Sequence, residues 1–154
     1  MTDLDKIFIT SGLTVFGSVL VFVIGQLLTK LFIEPTQELK RAIFNTRIAL
    51  TFHAEIINTP ISRSDETSQE TANALRKCSV ELFATAHTIP GHDVLAKVSR
   101  GYLPCKTEII DASLELRGLS TYVFDTGDKA LADLETIKKI TARIKKNLGL
   151  EASQ

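Results

Sequence analysis

The side chains best suited to chemistry in this chain are three histidines and two cysteines. His53, His87 and His92 are widely spaced, and none of them belongs to an HExxH or ExxH motif. A metal centre in a helical bundle needs such motifs with inward-facing carboxylates. Cys78 and Cys105 form no CxxC pair. We therefore expect structural or solvent-facing histidines, and two buried or half-buried thiols in a reducing compartment rather than a disulfide.

One histidine stands beside a carboxylate. His92 and Asp93 follow Pro90 and Gly91, in a stretch that we expect to be a loop, and loops often carry functional residues. A catalytic His–Asp pair also needs a nucleophile nearby, and an Asp before a helix is commonly its N-cap. The chain has no GxSxG, P-loop or GxGxxG motif. The sequence predicts no catalytic residue, cofactor or metal site, and we do not expect an enzyme.

The charges balance overall but are unevenly distributed. Lys and Arg number 18, as do Asp and Glu, yet no charged residue occurs from Ile7 to Thr29. Binding to nucleic acid needs an excess of basic residues against phosphate. The chain also has no Trp and only two Tyr, so aromatic side chains on which bases could stack are scarce. We therefore expect no nucleic acid among its partners.

The uncharged segment is long enough to cross a membrane. As a helix rising 1.5 Å per residue, residues 7–29 span about 35 Å, against about 30 Å for a hydrocarbon core. Residues 31–33 can extend it, with Lys30 reaching the interface. The segment is too long for the apolar part of a signal peptide, and no cleavage motif follows it. We predict a short tail at 1–6 and one transmembrane helix at 7–33 in the lipid bilayer.

The basic residues around this segment predict its orientation. Lys6 alone precedes it, whereas Lys30, Lys40, Arg41 and Arg47 follow within about twenty residues. Because basic residues stay in the cytoplasm, we predict the inner (cytoplasmic) membrane, with the N-terminus outside and the C-terminal domain cytosolic. The inverse topology stays open, since Lys40 and Arg41 lie some distance from the span.

Small residues recur along the predicted span. Ser11, Ser18 and Gly25 are seven residues apart and share one stripe of a helix. Small side chains let two helix backbones approach closely. We therefore predict transmembrane association through these three residues, as a homo-oligomer or with another membrane protein. The alternative is that the stripe reflects only how common Ser and Gly are in membrane helices, since there is no GxxxG motif.

The remainder of the chain shows helical periodicity and no sustained alternation. We predict an all-α fold, with a cytosolic bundle of about four helices at 34–149 and a frayed tail at 150–154. Pro35 either begins a new helix or kinks a continuing one. The other predicted helices run from about 65 to 87, 93 to 100, 105 to 123, and from a turn at 125–128 to Gly149. Ser64 or Asp65 is the expected N-cap of the helix that begins at about residue 65.

The apolar spacing also predicts which residues face the core. In the first two helices of the bundle these include Leu39, Ile43, Phe44, Ile48, Leu50, Phe52, Leu75, Ser79, Leu82 and Phe83. In the later helices they include Ile109, Leu116, Leu119, Val123, Ile137, Ile140, Ile144 and Leu148. A basic run from Lys138 to Lys146 lies opposite the last set. We interpret it as a solvated outer face rather than a lipid contact, because Asp133 and Glu135 weaken its field.

Three sequence strings carry a resemblance. LFIEPTQELKRAI, LRKCSVELFATAHTIP and LPCKTEIIDASLELRGLS resemble segments of uncharacterised small bacterial single-pass membrane proteins with a cytosolic helical domain. In that group an aromatic-Ile-Glu-Pro turn, here Phe32 to Pro35, follows the transmembrane helix. An Ile-Pro, here Ile89–Pro90, ends a later helix, and a Gly-Leu-Ser, here Gly118 to Ser120, closes a further one. The resemblance implies architecture and a bacterial setting, and no activity.

Two functional hypotheses follow from these predictions. The first is an interaction module, in which the anchor holds a helical scaffold or adaptor at the inner face of the membrane. The second is an oligomeric membrane-acting effector, such as a toxin or phage-exclusion factor, that uses the small-residue stripe.

Overall fold

The chain is helical throughout the part that the structure describes. A computed structural model describes residues 3–59, 65–98, 103–124 and 127–150. The elements are α1 (Asp3–Leu28), a π-helical turn (Thr29–Ile33), α2 (Glu34–Phe52), α3 (Ala54–Asn58), α4 (Asp65–Thr88), α5 (His92–Val98), α6 (Lys106–Tyr122) and α7 (Gly127–Asn147). These residues include no strand, so the all-helical prediction is confirmed.

The helix that begins with α1 does not stop at Pro35. Proline has no N–H to donate to the carbonyl four residues back, and its ring crowds that carbonyl. The preceding turn therefore widens, and the Glu34 N–H donates to the Thr29 carbonyl five residues back. The Thr36 hydroxyl donates to the Phe32 carbonyl at 2.6 Å. Of the two possibilities that the sequence left for Pro35, the structure has the continuing helix.

After α2 the chain turns back on itself. The Nδ1 atom of His53 lies 3.0 Å from the Thr71 hydroxyl oxygen, and the side chains of Thr46 and Cys78 interact. The seven residues forward from Thr46 to His53 thus match the seven residues backward from Cys78 to Thr71. The two helices are antiparallel, and the start of α2 is level with the end of α4.

The remaining helices continue this up-and-down order. The Ser79 hydroxyl donates to the Ser113 carbonyl at 2.7 Å, and Arg76 Nε donates to the Ser120 hydroxyl at 3.3 Å, so α6 is antiparallel to α4. A groove joins α5 and the start of α6 to the last turn of α7. One end of the bundle is called the near end. It is formed by the start of α2, the end of α4, α5, the start of α6 and the end of α7.

The core consists mainly of leucine and isoleucine at the predicted spacing. Fully buried members are Leu39, Leu75, Leu82, Ile109, Leu116, Leu119 and Ile144. Four apolar residues that the sequence assigned to the core face lie largely outside it: Phe44, Ile48, Phe52 and Phe83 are 59%, 50%, 77% and 48% exposed. Phe44, Ile48 and Phe52 are four residues apart on α2, so these three exposed side chains form an outward row.

Several helix ends differ from the prediction. His92, expected in a loop, is the first residue of α5, and Asp93 lies in its first turn rather than capping it. Cys105 is the N-cap of α6, and its N–H donates to Glu108 Oε2 at 2.8 Å. Gly149 ends α7 as predicted, because its φ of 63° suits a Schellman turn. Ser64 and the turn residues 125–126 lie outside the described residues.

Candidate interaction surfaces

The residues singled out for chemistry do not come together. His53 is buried against Thr71, whereas exposed His87 has its Nδ1 atom 2.9 Å from the Phe83 carbonyl oxygen. Across the described ranges, no three His, Cys, Asp or Glu side chains lie close enough to hold a metal ion. The His53 ring thus has Thr71 as its local partner, and the His87 ring has the Phe83 carbonyl.

The two cysteines have different surroundings. Both thiols are free; Cys78 is buried and Cys105 is exposed, so the expectation that both are at least half-buried is wrong for Cys105. Burial raises the pKa of the Cys78 thiol, and the nearby Glu81 carboxylate adds to the rise. A thiol with a raised pKa is a poor nucleophile at neutral pH. Cys78 therefore packs as a small apolar group.

Among the side chains that the structure describes, His92 has the largest number of buried polar atoms without a hydrogen-bond partner. It is 4% exposed, and neither ring nitrogen has a hydrogen-bond partner in the structure. Burial lowers its pKa; Lys106 lowers it further, and Asp93 raises it. Local spacing did not predict this burial, because the surroundings of the ring include residues distant in sequence, such as Lys106 of α6. Asp93 acts on the ring only through its charge and does not hydrogen-bond to either nitrogen, so the two residues do not form a catalytic His–Asp pair in this structure.

The first long surface is α1 itself. Ile7–Phe52 is the one helix in the described chain that is long and apolar enough to cross a membrane, and none of its most apolar window is buried. The apolar side chains along α1 are exposed, which leaves a large unpartnered apolar surface. Such a surface on an isolated chain marks a membrane or protein contact.

The small-residue stripe lies within this surface. The hydroxyls of Ser11 and Ser18 donate to the carbonyls four residues back, those of Ile7 and Thr14. Their protons are therefore already used within the helix, and only their lone pairs remain for a neighbour. A Cβ atom added at Gly25 would meet no atom within 4 Å, so packing within the chain does not require glycine there.

The second surface is a groove of about 590 Å³ between α4 and α6. We call it the α4–α6 groove; its lining is Arg76, Ser79, Val80, Phe83, Ser113, Leu114 and Arg117. Val80, Phe83 and Leu114 are 67%, 48% and 55% exposed. The lining contains two guanidinium groups and no carboxylate. Sequence reasoning missed this groove, because its residues come from two helices that are adjacent only in the fold.

The third surface is the row of Phe44, Ile48 and Phe52 along α2. These residues are four apart, so they line one side of the helix. The row borders a shallower groove between α2 and α4 that includes Lys77 and Glu81. A charge of each sign at this border gives the row no preference for an acidic or a basic partner.

Comparison with known proteins adds no functional information. No protein-family model, curated protein or solved structure matches this chain. The resemblance to small bacterial membrane proteins therefore stays a prediction, and the surfaces described above carry the functional argument.

Proposed function

We propose that this protein is a membrane-anchored interaction module, in which α1 spans the bilayer and the bundle binds a partner at its inner face. The observation that carries the proposal is the continuous helix from Ile7 to Phe52, whose first half is apolar and exposed and whose second half belongs to the bundle. A helix shared in this way fixes the bundle relative to the membrane. Such a fixed arrangement suits a scaffold or adaptor.

The α4–α6 groove is the proposed binding surface for the partner. Three exposed apolar side chains offer area that a partner can bury, at about 25 cal/mol per Å² of apolar surface. Arg76 is held by its bond to Ser120. No carboxylate pairs with Arg76 or Arg117 in the described part of the chain. The groove therefore suits an amphipathic segment of another protein that carries both carboxylates and apolar side chains.

Site-specific photo-crosslinking in native membranes tests this proposal. A photoreactive residue at Leu114 should give an adduct of one discrete mass above that of the chain. Double replacement Arg76→Glu with Arg117→Glu should abolish the adduct, because like charges repel an acidic partner. Ala142, exposed on α7, is the matched control position.

The pattern of adducts decides the outcome. Adducts of equal yield at Leu114 and Ala142 would mean that the groove has no special role. An adduct of twice the chain mass would replace the acidic partner by a second copy of the chain.

The second candidate function is the oligomeric membrane-acting effector. Open space around Gly25 favours it, because glycine at this position has no role in the packing of the single chain. The intrahelical hydroxyl bonds imply that close packing, rather than donated hydrogen bonds, would hold such an oligomer together. Ser18→Leu and Gly25→Leu should then dissociate oligomers in a bilayer, whereas Val23→Leu on another side of α1 should not. An unchanged native mass in all three variants removes this candidate.

A further inference from the structure

The near end of the bundle carries four lysines from three elements. Lys97 lies on α5, Lys106 begins α6, and Lys145 and Lys146 are in the last turn of α7. Lys97 and Lys146 line the same groove. None of the four lies within ion-pair distance of a carboxylate in the described ranges. Elements distant in sequence thus bring unpaired positive charge to one end of the bundle.

The fold places this end beside the end of the apolar helix. The pairing of α2 with α4 puts Pro35 level with Ile89, three residues before α5 begins at His92. Ile33 is the last apolar residue before Glu34, so Pro35 lies about 3 Å further along the helix. The headgroup layer of one leaflet is about 5–7 Å thick. With α1 in a bilayer, the near end would meet the headgroups directly.

The carboxylates at this end do not cancel the lysines. Glu34 and Glu38 at the start of α2, Asp93 on α5 and Glu108 at the start of α6 are the acidic residues of this end in the described chain. Glu108 already accepts the backbone N–H of Cys105. Lys30, in the π-helical turn beside this end, adds a fifth positive charge. The end therefore has an excess of positive charge where anionic phospholipids would lie.

We propose that the near end of the bundle binds the anionic phospholipid headgroups of the bilayer that holds α1. Lys97, Lys145 and Lys146 contact the headgroups, and Val94, which is 66% exposed on α5, faces the lipid between them. This inference rests on the proposed membrane anchor. It differs from the interpretation of the basic run as a solvated face, because the topology brings the last two lysines of that run beside α5.

Tryptophan quenching by brominated phospholipid tests the inference. The chain has no Trp, so one introduced Trp reports a single position. Val94→Trp reports the near end, Phe52→Trp reports the opposite end of α2, and Phe16→Trp reports α1. Each full-length variant is reconstituted in vesicles of brominated phosphatidylcholine, with or without phosphatidylglycerol.

We expect phosphatidylglycerol vesicles to quench Val94→Trp strongly and Phe52→Trp weakly. Quenching of Val94→Trp should fall by about half or more in vesicles of phosphatidylcholine alone, and when Lys97, Lys145 and Lys146 are replaced by Gln. Equal quenching at positions 94 and 52, or no dependence on headgroup charge, would overturn the inference. If neither Val94→Trp nor Phe16→Trp is quenched, the anchor itself fails. If Phe16→Trp is quenched and Val94→Trp is not, the anchor stands and the headgroup contact fails.

Discussion

Replacing His92 by leucine should make the bundle more stable, although His92 is buried. In its neutral form the ring carries one N–H donor and one acceptor nitrogen, and neither has a partner. A buried polar group left unsatisfied costs about 1–3 kcal/mol. Leucine fills a similar volume without that cost. His92→Leu should therefore raise the free energy of unfolding by about 1 kcal/mol or more at pH 7.5, and the melting temperature by about 4 °C.

The same substitution should change how stability depends on pH. Burial lowers the folded-state pKa of His92 below its ordinary value of 6.5, so the unfolded chain binds the proton more readily. Stability is then complete above about pH 6.5 and falls as the pH drops from there toward the folded-state pKa. His92→Leu removes this part of the acid loss, so its advantage over wild type should grow between about pH 7 and pH 5.

Thermal unfolding of the full-length protein in one detergent, across this pH range, measures both effects. His87→Leu is the control, because His87 is exposed and its Nδ1 atom lies beside the Phe83 carbonyl oxygen. It should not show the gain at pH 7.5. A His92→Leu protein that is less stable than wild type, with an unchanged pH profile, would refute the reasoning about the unsatisfied ring.

Three further predictions concern the bundle, each read from denaturant unfolding. Leu116→Ala should cost about 2–5 kcal/mol, because Leu116 is fully buried; a loss below 1 kcal/mol would contradict its central place in the core. Thr71→Val should cost about 1–3 kcal/mol by leaving the buried His53 ring without its partner, and an unchanged stability would show that this bond contributes nothing. Burial raises the pKa of Glu115, while Arg143 lowers it and Asp111 raises it. The folded protein therefore binds a proton at Glu115 more readily than the unfolded chain, and the stability that this proton contributes is lost as the pH rises above about 4.5. Glu115→Gln should stabilise the protein by up to about 1 kcal/mol at pH 7 and by less near pH 4. An equal effect at both pH values would contradict the raised pKa.

Local patterns were enough to predict much of the fold. Leucines and isoleucines at intervals of three, four or seven residues mark the side of a helix that must be covered; Leu75 and Leu82, seven apart, are both fully buried. Gly149 ends α7 where predicted, because a positive φ favours glycine. These features depend on a few neighbouring residues and on general backbone rules.

What the sequence could not predict depends on which helices lie side by side. Phe52 and Phe83 fit the apolar spacing of their helices, yet both are exposed because nothing in the described chain covers those sides. Burial of His92 depends on residues that are distant in sequence, such as Lys106 of α6. Arg76 and Arg117 are 41 residues apart and line one groove only because α4 and α6 are antiparallel. Contacts of this kind follow from topology, which local spacing does not determine.

The proposed anchoring of the bundle by α1 at the inner face of a membrane can be tested directly. The most direct test places one reporter thiol at the far end of α2, by Phe52→Cys in a Cys105→Ser background, where Cys78 is buried. The variant is expressed in bacteria and treated with a membrane-impermeant maleimide. We expect the protein to sediment with membranes after alkaline carbonate washing, and the thiol to react only when the cells are opened. Labelling in intact cells would contradict the orientation, and release into the carbonate supernatant would contradict the anchor.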